Sequence, residues 1–184
     1  MIILTGFDRY GKYSYNLSSE IVKNFKENLD DLSIKKVILP VAWKKSIKLY
    51  KEILLGIEIN PKLVVLLGIH ANTSISIEKI AWNFAIGNDI TNKVKFGLIK
   101  LYSKPYIKTG LDLKKIYSLL RDEIKFQISY FPGLYLCNYL YYWALYLSNK
   151  SYPVIFIHIP HNGKLDRYIR KIETIIKLII KLSN

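Results

Sequence analysis

Three side chains in this sequence are of the types that serve covalent catalysis, and two of them stand beside chain-breaking residues. Cys137 is the only cysteine. It follows Pro132 and Gly133 in "FPGLYLCNYLYYWAL", where an apolar helix is expected to begin. At a helix start, unpaired N–H groups and the positive dipole end favour a thiolate, and the same amides can donate to an oxyanion. The competing reading is a buried cysteine packing as a small hydrophobe. His158 stands near the end of the apolar run "VIFIHIP", with Pro160 stopping the strand. Imidazole can take the proton of a thiol and return it to a leaving amine near neutral pH; the alternative is a core histidine bonded to a backbone carbonyl. Glu78 breaks the apolar alternation of "SISIEKIAWN". It would orient and stabilise an imidazolium as the third member of a triad, or else be an exposed strand carboxylate paired with Lys79. His70, in "LLGIHANTS", also follows a strand end and competes for the role of base, whereas His161 falls in a loop. These histidines have no supporting carboxylate spacing for a metal site.

Such residues need elements to position them, and the hydrophobic pattern supplies an alternation. Met1 to Gly6 reads as a buried strand. Asn16 caps a helix running to about Asn28, and Ser33 to Val41 is a second strand, ended by Pro40. Trp43 to Ile59 is a helix by its spacing of Trp43, Ile47, Tyr50, Ile53 and Leu54. "KLVVLLGI" is a continuous apolar strand of the kind covered on both faces. "TSISIEKIAWNF" is extended, and residues 84–110 are weakly periodic with strand-like "VKFGLIKLY" inside them. A helix from Leu111 to about Gln127 and a short strand Ile128 to Phe131 follow. Then come the Cys137 helix to Asn149, the strand "PVIFIHIP" and a terminal helix Leu165 to Leu182 with Ile169, Ile172, Ile176 and Ile179 on its stripe. This order predicts a three-layer α/β/α fold around a largely parallel mixed sheet, in one domain spanning residues 1–184. In such sheets ligands bind at the carboxyl ends of strands, where these candidates cluster.

Composition narrows the class. The 184 residues are 51% hydrophobic and 23% charged, a globular balance. A single cysteine excludes an intrachain disulfide framework and fits a reducing compartment. The start "MIILTGFDRYG" lacks a basic leader, and the greasy stretch Phe131 to Leu147 is broken by Pro132, Gly133 and Asn138, so the expectation is a cytoplasmic protein without a membrane span. The net charge is +14. A basic, Tyr-rich surface would suit nucleic acid, but the lysines are scattered as in "WKKSIKLYKEIL", with no block of like charge. Solvated helix faces are the preferred reading.

Several of these segments also share an order and wording with a known family. "GLYLCN" resembles the A-G-x-Y-L-C-N cysteine motif of type I pyroglutamyl peptidases (pyrrolidone-carboxylate peptidases). "TGFDRYG" is similar to their T-G-F-x-P-F-G loop, "VILPVAW" to their L-P-V strand, "SIEKIAWN" to S-I-E-R-I-A-x-N, and "FIHIP" to F-I-H-V-P. The resemblance covers nearly the whole chain. It implies Cys137 as nucleophile, His158 as its base and Glu78 as the orienting carboxylate. It also implies a lactam pocket that includes Phe7 and Tyr10, no cofactor or metal, a peptide substrate with a blocked N-terminus, and a homo-oligomer, commonly a tetramer. The chain departs from the family in places. "GIHANT" stands for G-L-A-x-G-R, and Tyr10 stands for a phenylalanine. Asn88 stands for an arginine that helps polarise the oxyanion region. The chain is also shorter, with a reduced segment after Asn88. The implied function is removal of an N-terminal pyroglutamyl residue through a thioester. The alternatives are another small amide hydrolysed on the same scaffold, or a non-catalytic basic protein contacting nucleic acid.

Overall fold

The computed structural model of the chain describes residues 1–10 and 15–183. The loop expected after the first strand lies partly outside the described residues, at positions 11–14. The first strand, β1 (Ile2–Phe7), is followed by α1 (Leu17–Asn24), β2 (Asn28–Leu29), β3 (Leu32–Leu39), α2 (Trp43–Leu55) and β4 (Leu63–His70). Short strands β5 (Ile75–Glu78), β6 (Ile80–Trp82), β7 (Ala85–Asn88), β8 (Val94–Gly97) and β9 (Tyr106–Lys108) lead to α3 (Leu113–Leu120). The chain closes with β10 (Phe126–Ser129), α4 (Leu136–Ser148), β11 (Val154–Pro160) and α5 (Leu165–Ser183).

Seven strands form one sheet in the order β10-β5-β11-β4-β1-β3-β2. β3, β1, β4 and β11 are mutually parallel neighbours, and β5 runs antiparallel to β11. The apolar runs at β1, β4 and β11 are continuous because the sheet is covered on both sides. Alternate residues face opposite layers: Ile155, Ile157 and Ile159 join α1, α3 and α5, whereas Val154 and Phe156 join α2 and α4. α5 packs through Ile172, Ile175, Ile176 and Ile179, all fully buried, and each such side chain contributes about 1.5–3 kcal/mol. Among the described residues no helix is long and apolar enough to cross a membrane.

The mixed three-layer architecture agrees with the expectation from the alternation; several boundaries do not. α1 stops at Asn24, because Phe25 is already extended at its C-cap and the next residues fold as the β2–β3 hairpin. α2 ends at Leu55 rather than Ile59, with Gly56 as the C-cap. The helix expected to reach Gln127 ends at Leu120, and Phe126 instead pairs with Ile75 in β10. Ile124 continues the helical spacing of Leu113, Ile116 and Leu120 but reaches the same core after the helix has ended. Periodicity alone could not mark that end.

Candidate active site

Pairing between strands brings the histidine and the carboxylate together. In β11 against β5, His158 stands opposite Ser76, and Glu78 stands opposite Phe156. Residues two apart share a face, so Glu78 and His158 are diagonal neighbours on the side covered by α4. The Glu78 Oε1 and His158 Nδ1 atoms are 2.8 Å apart, with both side chains nearly fully buried. Glu78 Oε2 is buried without a hydrogen-bond partner among the described residues. Among the described residues the His158 imidazole is thus the one hydrogen-bond partner of this carboxylate. Lys79 bonds the Leu111 carbonyl at 2.9 Å instead of Glu78, so the alternative pairing read from the sequence does not form.

The thiol arrives from the other layer. Gly133 takes φ +77°, a left-handed conformation that favours glycine, and the turn feeds α4 with Tyr135 at its N-cap. The helical ladder opens with the Tyr139 N–H donating to the carbonyl of the cap residue Tyr135 at 3.0 Å, so the amides of Leu136, Cys137 and Asn138 precede it. Asn138 ties this first turn to β6. Its Oδ1 accepts from the Trp82 N–H at 2.7 Å, and its Nδ2 donates to the Trp82 and Phe84 carbonyls at 2.9 and 2.8 Å. On β4, Gly68 lies directly beside His158. A Cβ there would stand 3.0 Å from Cys137 Sγ and 2.9 Å from the Phe156 ring, so glycine leaves the space the sulfur needs.

Electrostatics follow from this packing. Burial disfavours the His158 cation, but the adjacent Cys137 sulfur and then Glu78 favour it through hydrogen bonding and charge, raising its pKa to about 9. With Nδ1 held by the carboxylate, Nε2 is the nitrogen free to exchange a proton with the thiol.

A cavity of about 170 Å³ opens beside the sulfur, lined by Phe7, Tyr10, Val41, Ile69, Tyr135 and Cys137 among others. Five of the expected residues thus meet at one edge of the sheet: Cys137, His158 and Glu78 as a chain of groups, with Phe7 and Tyr10 in the adjoining wall. Asn88 does not line the cavity; it ends β7, exposed, and its carbonyl accepts from the Tyr135 hydroxyl at 2.7 Å. The other lining residues were not singled out from the sequence as part of a site. Tyr135 edges both Tyr10 and Trp43, with ring centroids 5.8 and 5.0 Å apart. Its phenol is kept protonated by burial first and then by hydrogen bonding to Tyr10. Ile69 and Val41 add apolar wall. The position of Tyr135 two residues before the cysteine was the available signal, since an N-cap side chain stands over its own helix start. Among the described residues no cluster of His, Cys, Asp or Glu has the makings of a metal site.

Known proteins resemble this chain along almost its whole length. The Pyroglutamyl peptidase family pattern matches residues 1–174. The pyrrolidone-carboxylate peptidase of Thermosipho africanus is 29% identical over 203 residues, covering 100% of this chain and 98% of that protein. Pyrrolidone-carboxylate peptidase 2 of Caldanaerobacter subterraneus subsp. tengcongensis is 30% identical over 200 residues, covering 98% and 96%. Among solved structures, the pyrrolidone carboxyl peptidase of Thermococcus litoralis superposes with a TM-score of 0.90 at 27% identity, covering 98% of this chain and 93% of that one.

Proposed function

This chain belongs to the pyroglutamyl peptidase family, and from that premise we propose that Cys137, His158 and Glu78 carry out the removal of a pyroglutamyl residue from a peptide N-terminus. The observation that carries the assignment is the 2.8 Å contact between His158 Nδ1 and Glu78 Oε1, formed beside the one thiol of the chain at the mouth of an apolar cavity. The raised affinity of His158 for its proton favours a thiolate–imidazolium pair at neutral pH.

The thiolate attacks the carbonyl carbon that joins the lactam residue to the next amino acid. A C–S bond forms as the carbonyl π electrons move to oxygen, where the free amides at the start of α4 are suited to donate. Collapse breaks the C–N bond, and the departing amine takes the proton from His158 Nε2. Water then attacks the thioester and gives a proton to the neutral imidazole. The C–S bond breaks, pyroglutamate leaves, and the thiolate–imidazolium pair is restored. Glu78 keeps Nδ1 protonated and offsets the imidazolium charge throughout. Phe7, Tyr10 and Tyr135 form the walls against which a flat lactam ring would lie. Asn88 takes the place of a cation without reaching the cavity, which leaves oxyanion stabilisation to backbone donors. A homo-oligomer remains part of the reading, with Ile86, Val94, Phe96, Leu98 and Leu101, exposed on and after the β7–β8 hairpin, as the surface proposed for it. A cytoplasmic location and a single domain over residues 1–184 complete it.

The test is release of a fluorescent amine from a pyroglutamyl amide. Turnover by the wild type that falls by about 10⁴-fold or more in both Cys137→Ala and His158→Ala is the expected result. A folded wild type without turnover would remove this activity.

A further inference from the structure

The end of β4 is one place where the chain departs from the family wording, and it sets a second imidazole against the first. His70 and Gly68 share one face of β4, and in register His158 lies beside Gly68 while Pro160 lies beside His70. The His70 ring therefore leans back over that of His158. Their centroids are 5.3 Å apart and their planes differ by 16°, an offset stack within the range of favourable aromatic pairs. The His70 ring is itself held. Its Nε2 is 2.9 Å from the Ser74 carbonyl, and because a carbonyl only accepts, that nitrogen carries the proton in the neutral ring. Nδ1 is left as the site for a second proton. The His70 carbonyl accepts from the His161 N–H at 3.1 Å, which carries the bonding between β4 and β11 one residue past the end of β11.

We propose that His70 is a positioning residue: its stacked ring holds the His158 imidazole edge-on between Glu78 and Cys137, and its protonation in acid opposes the imidazolium and lowers activity. This inference rests on the triad assignment above. The titratable groups facing His70 are few. His158 lies on β11, His161 follows that strand, and Glu78 comes from β5. Burial first, and then the charge of His158, push the His70 imidazole below its usual value, against an opposing pull from the Ser74 carbonyl and Glu78. Two cations in a stack destabilise each other. The catalytic pair needs His158 charged, so acid should bring the penalty onto His70.

The experiment compares wild type, His70→Ala and His70→Phe from about pH 4.5 to pH 10, a range spanning imidazole titration. Two rates are followed: turnover of a pyroglutamyl amide and alkylation of Cys137 by iodoacetamide. His70→Ala should lower kcat about tenfold with KM within about twofold, the pattern of lost positioning rather than lost binding. His70→Phe keeps a flat ring but takes no proton. It should recover most of the kcat lost in His70→Ala and move the acid limb of both rates down by about half a pH unit or more. The same acid limb in wild type and His70→Phe would overturn the proposal, as would a wild-type kcat in His70→Ala. Should His70→Ala fold poorly, the acid limb of His70→Phe still decides. The alkylation rate needs no peptide substrate, so a His70-dependent acid limb in alkylation without amide turnover would uphold this inference while removing the peptidase reading.

Discussion

The two faces of the central sheet are built from different chemistry. The layer of α1, α3 and α5 meets the sheet through aliphatic side chains with few aromatics, Phe25, Phe126 and Tyr168 among them. The layer of α2 and α4 meets it through Trp43, Tyr50, Tyr139, Tyr141, Tyr142, Tyr152 and Phe156. Several of those aromatics end in hydroxyls that reach backbone across the layer. Tyr141 donates to the Glu78 carbonyl at 2.8 Å, and Tyr142 donates to the Lys104 carbonyl at 2.8 Å. Cys137, His158 and Glu78 all emerge on this second face. An aliphatic face holds by volume and tolerates small slides, whereas an aromatic face with polar ends also fixes distance and angle. The molecule places its reacting groups on the face that can do both.

Three substitutions would break or sharpen that contrast. The largest effect is expected from Glu78→Gln, which keeps the shape of the side chain but removes its charge. kcat should fall about a thousandfold, somewhat less than the loss when a triad carboxylate becomes an amide elsewhere. The His158 pKa, raised to about 9 with Glu78 in place, should fall, and the high-pH limb of activity should move to lower pH because Glu78 no longer favours the cation. The folded value of His158 lies above the ordinary 6.5. The stability it contributes is therefore complete below about pH 6.5 and is lost as pH rises through about 9. Urea denaturation of wild type and variant should show a stability gap that narrows across that window.

On the opposite face Ile176→Ala should do the reverse. The residue is fully buried, and its truncation should cost about 2–5 kcal/mol of stability while kcat at a temperature well below unfolding stays at the wild-type value. A matching loss of kcat in the folded variant would show that the aliphatic face also sets the site's geometry. The smallest effect belongs to Tyr141→Phe. Loss of one buried hydrogen bond should cost about 1 kcal/mol, and release of the Glu78 backbone should lower kcat by about two- to fivefold, the signature of positioning through the aromatic face. Stability loss with unaltered kcat would make that hydroxyl purely structural.

Much of this was legible in the sequence, for reasons that differ from residue to residue. The strands β1, β4 and β11 could be read because a strand covered on both faces must be apolar without alternation. The terminal helix could be read because its isoleucines recur at helical spacing. Cys137 at a helix start was legible because Pro132 and Gly133 mark that boundary locally, whereas β11 runs through Pro160 instead of stopping before it. The contact between Glu78 and His158 was a different matter. They are 80 positions apart, and their meeting depends on an antiparallel register between β5 and β11 that no local pattern encodes. The same holds for the end of α3, where Ile124 satisfies both a helical spacing and a core contact made after the helix stops. It holds too for His70, whose ring meets that of His158 only through the parallel register of β4 and β11. Amino-acid type and short-range periodicity determined which groups were available and which elements would carry them. Strand register and the packing of α4 on the sheet decided which of those groups touch, because contacts between distant segments are fixed by the whole core closing at once.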